Sequence, residues 1–507
     1  MMNNLEGLRI VVSGFELEQQ EHRGIAAFSK GLLRALKTAG AEIWLLTEYG
    51  ESINESSKTE IPKAVQRRIT AANILEKLNS GENREIDSGV WIKLLERVPI
   101  ARKFIKLLRF IDRQKGELRS LYFPKKVIRR RQLELFYKKE LTKSPYERCE
   151  RLAYLREVDG IICAKSCFRD SFSLGSRKKR RVLQIDLEGF DMLITTSPLN
   201  IEPLNIKVFT QTIHDLIPLD YQRTRDDLSC FTRRLEAAKS SKRIFVSEDA
   251  RQNYEDSFEG GVSVIDNNKC VVTQSPSLSF PGDALEWEAR AEYVQVSSSD
   301  KSEQYKLKPF TYFLFNSSVV PHKNLLFALK AFIESGLGQE NIRMCITGKP
   351  QNDEYSQSVG DYAALHSSII FTGYVDEATK RKLYLNALGL LSPSLIEGFG
   401  IPVLDAGCLG LQTIASPLGS HREIQKMHDF EDVVLLCSTL NTSDWASAMR
   451  LVAGENELTM AGKPELSQMN IMRKIRSERI LRYRKYQDLI DKAFRAEICK
   501  LLSTNYI

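Results

Sequence analysis

The sequence predicts an α/β protein made of two doubly wound parallel-sheet domains, with a basic helical insertion in the first. Three observations predict it. At 507 residues the chain exceeds what one ordinary core organises. Strand-length apolar runs alternate with helical periodicity in both halves. That alternation lapses from about residue 52 to 180, in a stretch rich in Lys, Arg and Glu.

The first half opens on the apolar run Leu8 to Gly14, followed by a polar loop ending at Arg23-Gly24. Ile25, Phe28, Leu32, Leu33 and Leu36 then recur at helical intervals, and Ala39-Gly40 closes the helix before a strand from Glu42 to Leu46. This β-α-β unit implies a parallel sheet. Strands resume at Ile206 to Ile213, Arg243 to Ser247 and Val262 to Ile265, and the polar segment Val294 to Lys308 reads as a linker. The second half alternates more cleanly. Strands are expected at Tyr312 to Asn316, Ile342 to Thr347, Ser368 to Thr372, Leu388 to Ser392 and Gln412 to Ala415, with helices at Lys323 to Glu334, Glu377 to Leu385 and Pro402 to Leu409. The domains are therefore expected at 1–297 and 298–479, with a last helix from Ile480 to Leu501 crossing back onto the first.

A composition of 42% hydrophobic and 27% charged residues excludes a disordered or fibrous chain. No run approaches the roughly 18 apolar residues of a membrane span, and the acidic, polar N-terminus does not resemble a signal peptide, so a cytoplasmic protein is expected. The nine cysteines are scattered without a Cys-x-x-Cys pair and read as reduced, packed thiols. There is no Asp-x-Asp pair and the six histidines do not cluster, so no metal is expected.

The formal charge of +8 is concentrated: from Arg102 to Lys143, fifteen Lys or Arg face only Asp112, Glu117, Glu134 and Glu140. Phe104, Ile105, Leu108 and Ile111 at helical spacing, with Phe136 and Tyr137 after the Arg129-Arg130-Arg131 run, give a basic amphipathic helix pattern. Docking on an anionic membrane surface, a solvated insertion without a partner and nucleic-acid binding all fit it. The last is disfavoured, because no zinc finger or RNP-type aromatic motif accompanies the charge.

In a doubly wound sheet ligands bind outside the carboxyl ends of the strands, so the loops there carry the chemistry. The densest is Ser392-Pro393-Ser394-Leu395-Ile396-Glu397-Gly398-Phe399-Gly400-Ile401-Pro402-Val403-Leu404-Asp405. Pro402 suits the first turn of a helix, which leaves backbone N–H groups from Gly400 to Leu404 free for an anion such as a diphosphate. Glu397 before the helix and Asp405 in its first turn would grip hydroxyls on either side. A second loop, Phe315-Asn316-Ser317-Ser318-Val319-Val320-Pro321-His322-Lys323-Asn324, puts a cation at a helix start, where the dipole disfavours it unless an anion is near. A third, Thr210-Gln211-Thr212-Ile213-His214-Asp215-Leu216-Ile217-Pro218, sets a histidine at a strand mouth, and Ser247 reads as a helix N-cap.

These motifs resemble the retaining nucleotide-sugar glycosyltransferases of family 4, whose GT-B fold sets two Rossmann-like domains about a central cleft. The family signature, Glu-x7-Glu around Gly-Phe-Gly-hydrophobic-Pro, runs from Glu397 to position 405, with Asp405 in place of the second Glu. The resemblance implies that Glu397 and His214 contact the donor sugar and that Lys323 binds the diphosphate. It further implies that Asp405 meets the nucleotide ribose and that Gly398, Phe399, Gly400 and Ile401 line the donor site. Ser317 and Ser318 stand in the phosphate loop, Ser318 replacing an Arg as in members similar to O-antigen mannosyltransferases. Gly348, Lys349 and Val375 fall in strand-end loops on the nucleotide side, Val375 near the base. Gly24 resembles the loop near phosphate and acceptor.

The resemblance implies metal-independent transfer of a hexose from a nucleoside-diphosphate sugar, with GDP-mannose favoured, to a glycan or lipid-linked saccharide. No cofactor or nucleic acid is implied, and the setting is the inner membrane face. A non-catalytic GT-B scaffold that binds a nucleotide sugar or a partner transferase is the rival. A hydrolase is not expected, because Glu397 and Asp405 lie on one loop-helix unit and not on opposite sides of a sugar.

Overall fold

The computed structural model describes residues 5–20, 22, 24–50, 61–81, 126–141, 149–176, 182–221, 227–260, 267–284, 292–299, 302–460 and 462–503. The strand expected at Val262 to Ile265 and the part of the basic stretch from Arg102 to residue 125 lie outside them.

The first unit is built on an eight-stranded sheet in the order Lys269–Val271, Lys242–Phe245, Val208–Ile213, Met192–Thr195, Arg9–Ser13, Glu42–Thr47, Gly160–Cys163, Glu134–Tyr137. Every pair is parallel except the last, which is antiparallel. A smaller parallel sheet, Lys126–Ile128, Leu183–Asp186 and Ile201–Leu204, lies beside it. Val11, Val12, Ile161 and Ile162 have no more than traces of exposed surface, as strands covered on both faces require.

The second unit is a six-stranded, wholly parallel sheet in the order Ile369–Phe371, Arg343–Ile346, Tyr312–Phe315, Gly389–Ser392, Thr413–Ala415, Val434–Leu436. Counting along the chain this is 3-2-1-4-5-6, the doubly wound Rossmann order, so the switch point falls between Tyr312–Phe315 and Gly389–Ser392. Two α/β units of Rossmann type, facing one another across a cleft, are the architecture the sequence predicts.

Three expectations are corrected. The stretch from 52 to 180 is not a single helical insertion: Glu134–Tyr137 and Gly160–Cys163 are strands of the main sheet. Phe136 is buried against that sheet and Tyr137 is exposed, so they follow the period of two of a strand and not a helical face. The supposed linker from Val294 is an antiparallel hairpin of Val294–Ser297 with Gln304–Leu307, in which Val294 and Val296 are buried and Gln295 and Ser297 are exposed. Polar side chains on its outer face concealed that alternation. Finally, the helix expected from Lys323 begins at Leu325, because Pro321–Lys323 forms a 3₁₀ turn and Asn324 takes a left-handed φ of 55°. Asparagine tolerates this region better than most residues.

The C-terminal helix, Glu465–Ser503, is longer than the periodicity indicated. Tyr483, Tyr486, Ile490, Phe494 and Ile498 form its buried stripe, and Phe494 meets Phe28 of the first unit edge to face at 5.7 Å. Near its end, Lys242 Nζ donates to Leu501 O at 2.6 Å. One continuous helix thereby braces both sheets. Among the described residues no helix is long and apolar enough to cross a membrane, and no cluster of His, Cys, Asp or Glu could hold a metal.

Candidate active site

Two loops leave the switch point of the second sheet, one after Tyr312–Phe315 and one after Gly389–Ser392. Leu395 N–H donates to His322 O at 2.8 Å and so ties them together. This brings Lys323 Nζ to 2.6 Å from Glu397 Oε1, with side chains only 15% and 12% exposed. Ser394 Oγ donates to the same oxygen at 2.7 Å. Burial pushes the Glu397 carboxyl up, but Lys323, aided by His421 and Ser394, more than offsets it, so the group is held below its ordinary value. The outcome is an ionised carboxylate and an ammonium at the floor of the cleft, with the remaining ammonium hydrogens available to another acceptor.

After Glu397 the chain passes through Gly398, Phe399 and Gly400 into the helix Ile401–Leu409, which has Pro402 in its first turn. Gly400 caps it at a φ of 105°, a conformation open to glycine at little cost. Gly398 is required for another reason: a Cβ there would lie 2.2 Å from His214 O, in the first unit. Ser247 Oγ donates to Gly398 O at 2.6 Å and accepts from Ala250 N–H at 3.0 Å. The expected N-cap serine is thus also a fastening between the units.

His214 follows the strand Val208–Ile213 and is 7% exposed. Its Nε2 lies 2.7 Å from Thr196 O, and Phe28 packs edge-on at 5.0 Å. Because a carbonyl can only accept, Nε2 carries the proton and Nδ1 is left as an acceptor. Burial lowers the pKa to about 4, so the ring is neutral and suited to a hydroxyl, not to an anion.

These groups surround a cleft of about 340 Å³ between the units. Gly24, His214, Ser317, Ser318, Lys323, Gly348, Lys349, Val375, Glu397, Gly398, Phe399, Gly400 and Ile401 all line it. Gly24 begins the helix Gly24–Thr38, and a Cβ on it would be 3.7 Å from Ile401 Cδ1, so two helix N-termini face each other. Their dipoles and free N–H groups favour an anion between them.

Asp405 is the exception. It is fully buried behind the cleft wall, where Oδ1 accepts from Ser277 N–H at 2.7 Å and Oδ2 accepts from Ser277 Oγ. Tyr483 Oη lies 3.0 Å from Oδ1. The ribose contact read from the sequence is therefore corrected: lacking one methylene relative to Glu, this carboxylate joins the helix Ile401–Leu409 to the first unit and the C-terminal helix. Sequence reasoning also missed Lys30, Arg34 and Lys380, which line the cleft. The spacing of four between Lys30 and Arg34 places both on one helix face, the signal that could have found them.

The Gly398 contact yields a direct test. Gly398→Ala must push the loop off His214 O, and overpacking of this kind costs about 1–3 kcal/mol. A shift of even ~1 Å in Glu397 is expected to lower turnover by up to roughly 10²-fold. Thermal unfolding and any transfer assay would read both, and unchanged values would mean that the units do not approach this closely in solution.

Residues 298–461 match the family model described as glycosyl transferases group 1. That match spans about a third of the chain. Over 113 residues, 22% of this chain, it is 27% identical to an uncharacterised glycosyltransferase of Methanocaldococcus jannaschii, and the match spans 29% of that protein. Among solved structures it is similar to sucrose-phosphate synthase from Thermosynechococcus elongatus, at 12% identity and a TM-score of 0.48, covering 98% of each chain. It is also similar to HepE of Anabaena in complex with UDP, at 11% identity and a TM-score of 0.44, covering 98% of this chain and 99% of that one. Lys323, Glu397 and the Gly398–Ile401 turn all fall within the matched residues, whereas His214 and Gly24 reach the cleft from the other unit.

Proposed function

We propose that the chain transfers a hexosyl group from a nucleoside-diphosphate sugar to a hydroxyl of a glycan or lipid-linked saccharide, with retention of anomeric configuration and without a metal. The observation that carries this reading is the buried Lys323–Glu397 pair, within the residues matched by the family model and at the mouth of the helix Ile401–Leu409. In this reading the diphosphate lies between Lys323, Ser317, Ser318 and the two facing N-termini, which stabilise the charge that develops as the bond from the anomeric carbon to phosphate breaks. The acceptor oxygen forms the new bond, and its proton passes to the departing diphosphate. Glu397 and the neutral Nδ1 of His214 hold sugar hydroxyls and fix orientation.

The motif resemblance favours GDP-mannose as donor and an acceptor at the inner membrane face. The basic stretch from Arg102 to Lys143 would dock there on anionic lipid.

Thermal stability measured against GDP-, UDP-, ADP- and dTDP-sugars tests the reading. At about 100 times its Kd a true donor adds about 2.7 kcal/mol to the folded state. One nucleotide class is expected to raise the midpoint, and Lys323→Ala to reduce the rise. A folded protein that responds to none of them would overturn the transferase reading.

A further inference from the structure

The cleft holds a second group of cations away from the Lys323–Glu397 pair. Lys30 projects from the helix Gly24–Thr38 and lines the cleft, yet among the described residues its ammonium makes no hydrogen bond or ion pair. Around it stand further positive charges. Among the described residues Arg151 is fixed by backbone carbonyls alone, donating to Leu78 O at 3.0 Å, to Gln20 O at 2.7 Å and to Gln19 O, and none of their carboxylates pairs with it. Arg34, one turn along the helix, reaches Asp491 only at 3.7 Å. Across the cleft, Lys380 is paired with Glu377.

We propose that Lys30, backed by Arg34 and Arg151 and faced by Lys380, is a second anion-binding position in the cleft, which takes a phosphate group other than the donor's diphosphate. Cations converging from both units suit a tetrahedral dianion with several acceptor oxygens, and each charge-assisted bond relieves the repulsion among them. The proposal rests on the proposed function only in giving the Lys323 end to the donor; a phosphorylated acceptor is the ligand that would then use Lys30.

The electrostatics agree with this geometry. Burial lowers the Lys30 pKa to about 8; Glu377 opposes the shift, and Lys380, Arg151 and Arg34 deepen it. His22, on the loop before the helix, is lowered to about 3 by burial and then by Lys30 and Arg151, so it is neutral and adds no charge. Lys30 is thus partly deprotonated slightly above neutral pH, and a bound dianion draws the proton back.

The test is calorimetric titration of inorganic phosphate into the full chain, with and without saturating GDP or UDP. Lys30→Met is expected to weaken phosphate binding about tenfold or more and nucleotide binding by less than about twofold, with Lys323→Ala giving the reverse. At about pH 8.5, titration in buffers of different ionisation heat should show the wild type taking up a fraction of a proton per phosphate bound. Lys30→Arg should retain binding without the uptake, because arginine stays charged.

Phosphate binding that is absent, or unaffected by Lys30→Met, would overturn the proposal. So would a loss of nucleotide affinity in Lys30→Met equal to that in Lys323→Ala, which would assign Lys30 to the donor. Failure of the wild type to bind any nucleotide would instead count against the transferase reading, and phosphate binding lost in Lys30→Met would still support the second position.

Discussion

Lys323→Met is expected to lower glycosyl transfer by roughly 10²–10³-fold, the usual loss when one preorganised charge on a leaving group is removed. The effect should fall on kcat more than on KM, because the ammonium is worth most when the diphosphate has gained its full charge. Methionine keeps the length of the stem, so the backbone tie between Leu395 N–H and His322 O should persist. The same substitution strands Glu397. Breaking a buried pair costs about 3–5 kcal/mol, and since these side chains retain some exposure to the cleft, about 1–3 kcal/mol is expected.

The pH dependence separates the two effects. In the wild type Glu397 is held below its ordinary value, so its contribution to stability is present above the unfolded pKa and is lost as pH falls through the folded one. In Lys323→Met burial is opposed only by the weaker effects of His421 and Ser394, and the carboxyl rises. Its contribution is then present at low pH and lost as pH rises through the new folded value. Denaturant midpoints measured from pH 3 to about 8 should therefore tilt in opposite directions in the two proteins. Parallel curves would mean that Lys323 and Glu397 are not paired in solution.

Why these two residues are legible in the sequence, while others are not, follows from the range of their interactions. Glu397, Gly400 and Pro402 sit between a buried strand and a helix, and each has a local reason visible in a dozen residues: a strand end, a left-handed cap, a first-turn proline. The second sheet is legible for the same reason, since Tyr312–Phe315 and Gly389–Ser392 are unbroken apolar strands bounded by polar loops. Glu134–Tyr137 is not, because it is an edge strand amid Lys and Arg and is recognisable mainly through its antiparallel partner, Gly160–Cys163. Lys30 looks like any solvated helix cation until Arg151 and Lys380 are brought against it from distant parts of the chain. The place of Asp405 depends on Ser277 and Tyr483, which lie 128 and 78 residues away in sequence.

Asp405→Ala is expected to be the most destabilising single change considered, by about 2–4 kcal/mol, because it leaves Ser277 N–H without an acceptor and opens a small buried void. The loss is interdomain in character. The carboxylate lies in the helix Ile401–Leu409, Ser277 belongs to the first unit, and Tyr483, on the C-terminal helix, accepts from Leu278 N–H at 2.8 Å. Tyr483→Phe should cost less, about 1–2 kcal/mol, and the double variant should fall short of the sum, with a coupling of about 0.5–3 kcal/mol.

Asparagine isolates the charge from the geometry. An amide at 405 still presents one oxygen to Ser277 N–H, while its NH₂ donates to Ser277 Oγ, so Asp405→Asn should stay within about 1 kcal/mol of wild type at neutral pH. Burial raises the Asp405 carboxyl, and its hydrogen bonds with Ser277 and Tyr483 only partly counter that. A raised folded pKa means that the group contributes stability below its unfolded value and loses it as pH rises through the folded one. The wild type carries that loss and Asp405→Asn does not, so the difference should move in favour of the amide from about pH 3 to 7. A difference that is constant with pH would mean that the carboxylate is solvated, and the cleft would then be open enough for it to reach a ligand after all.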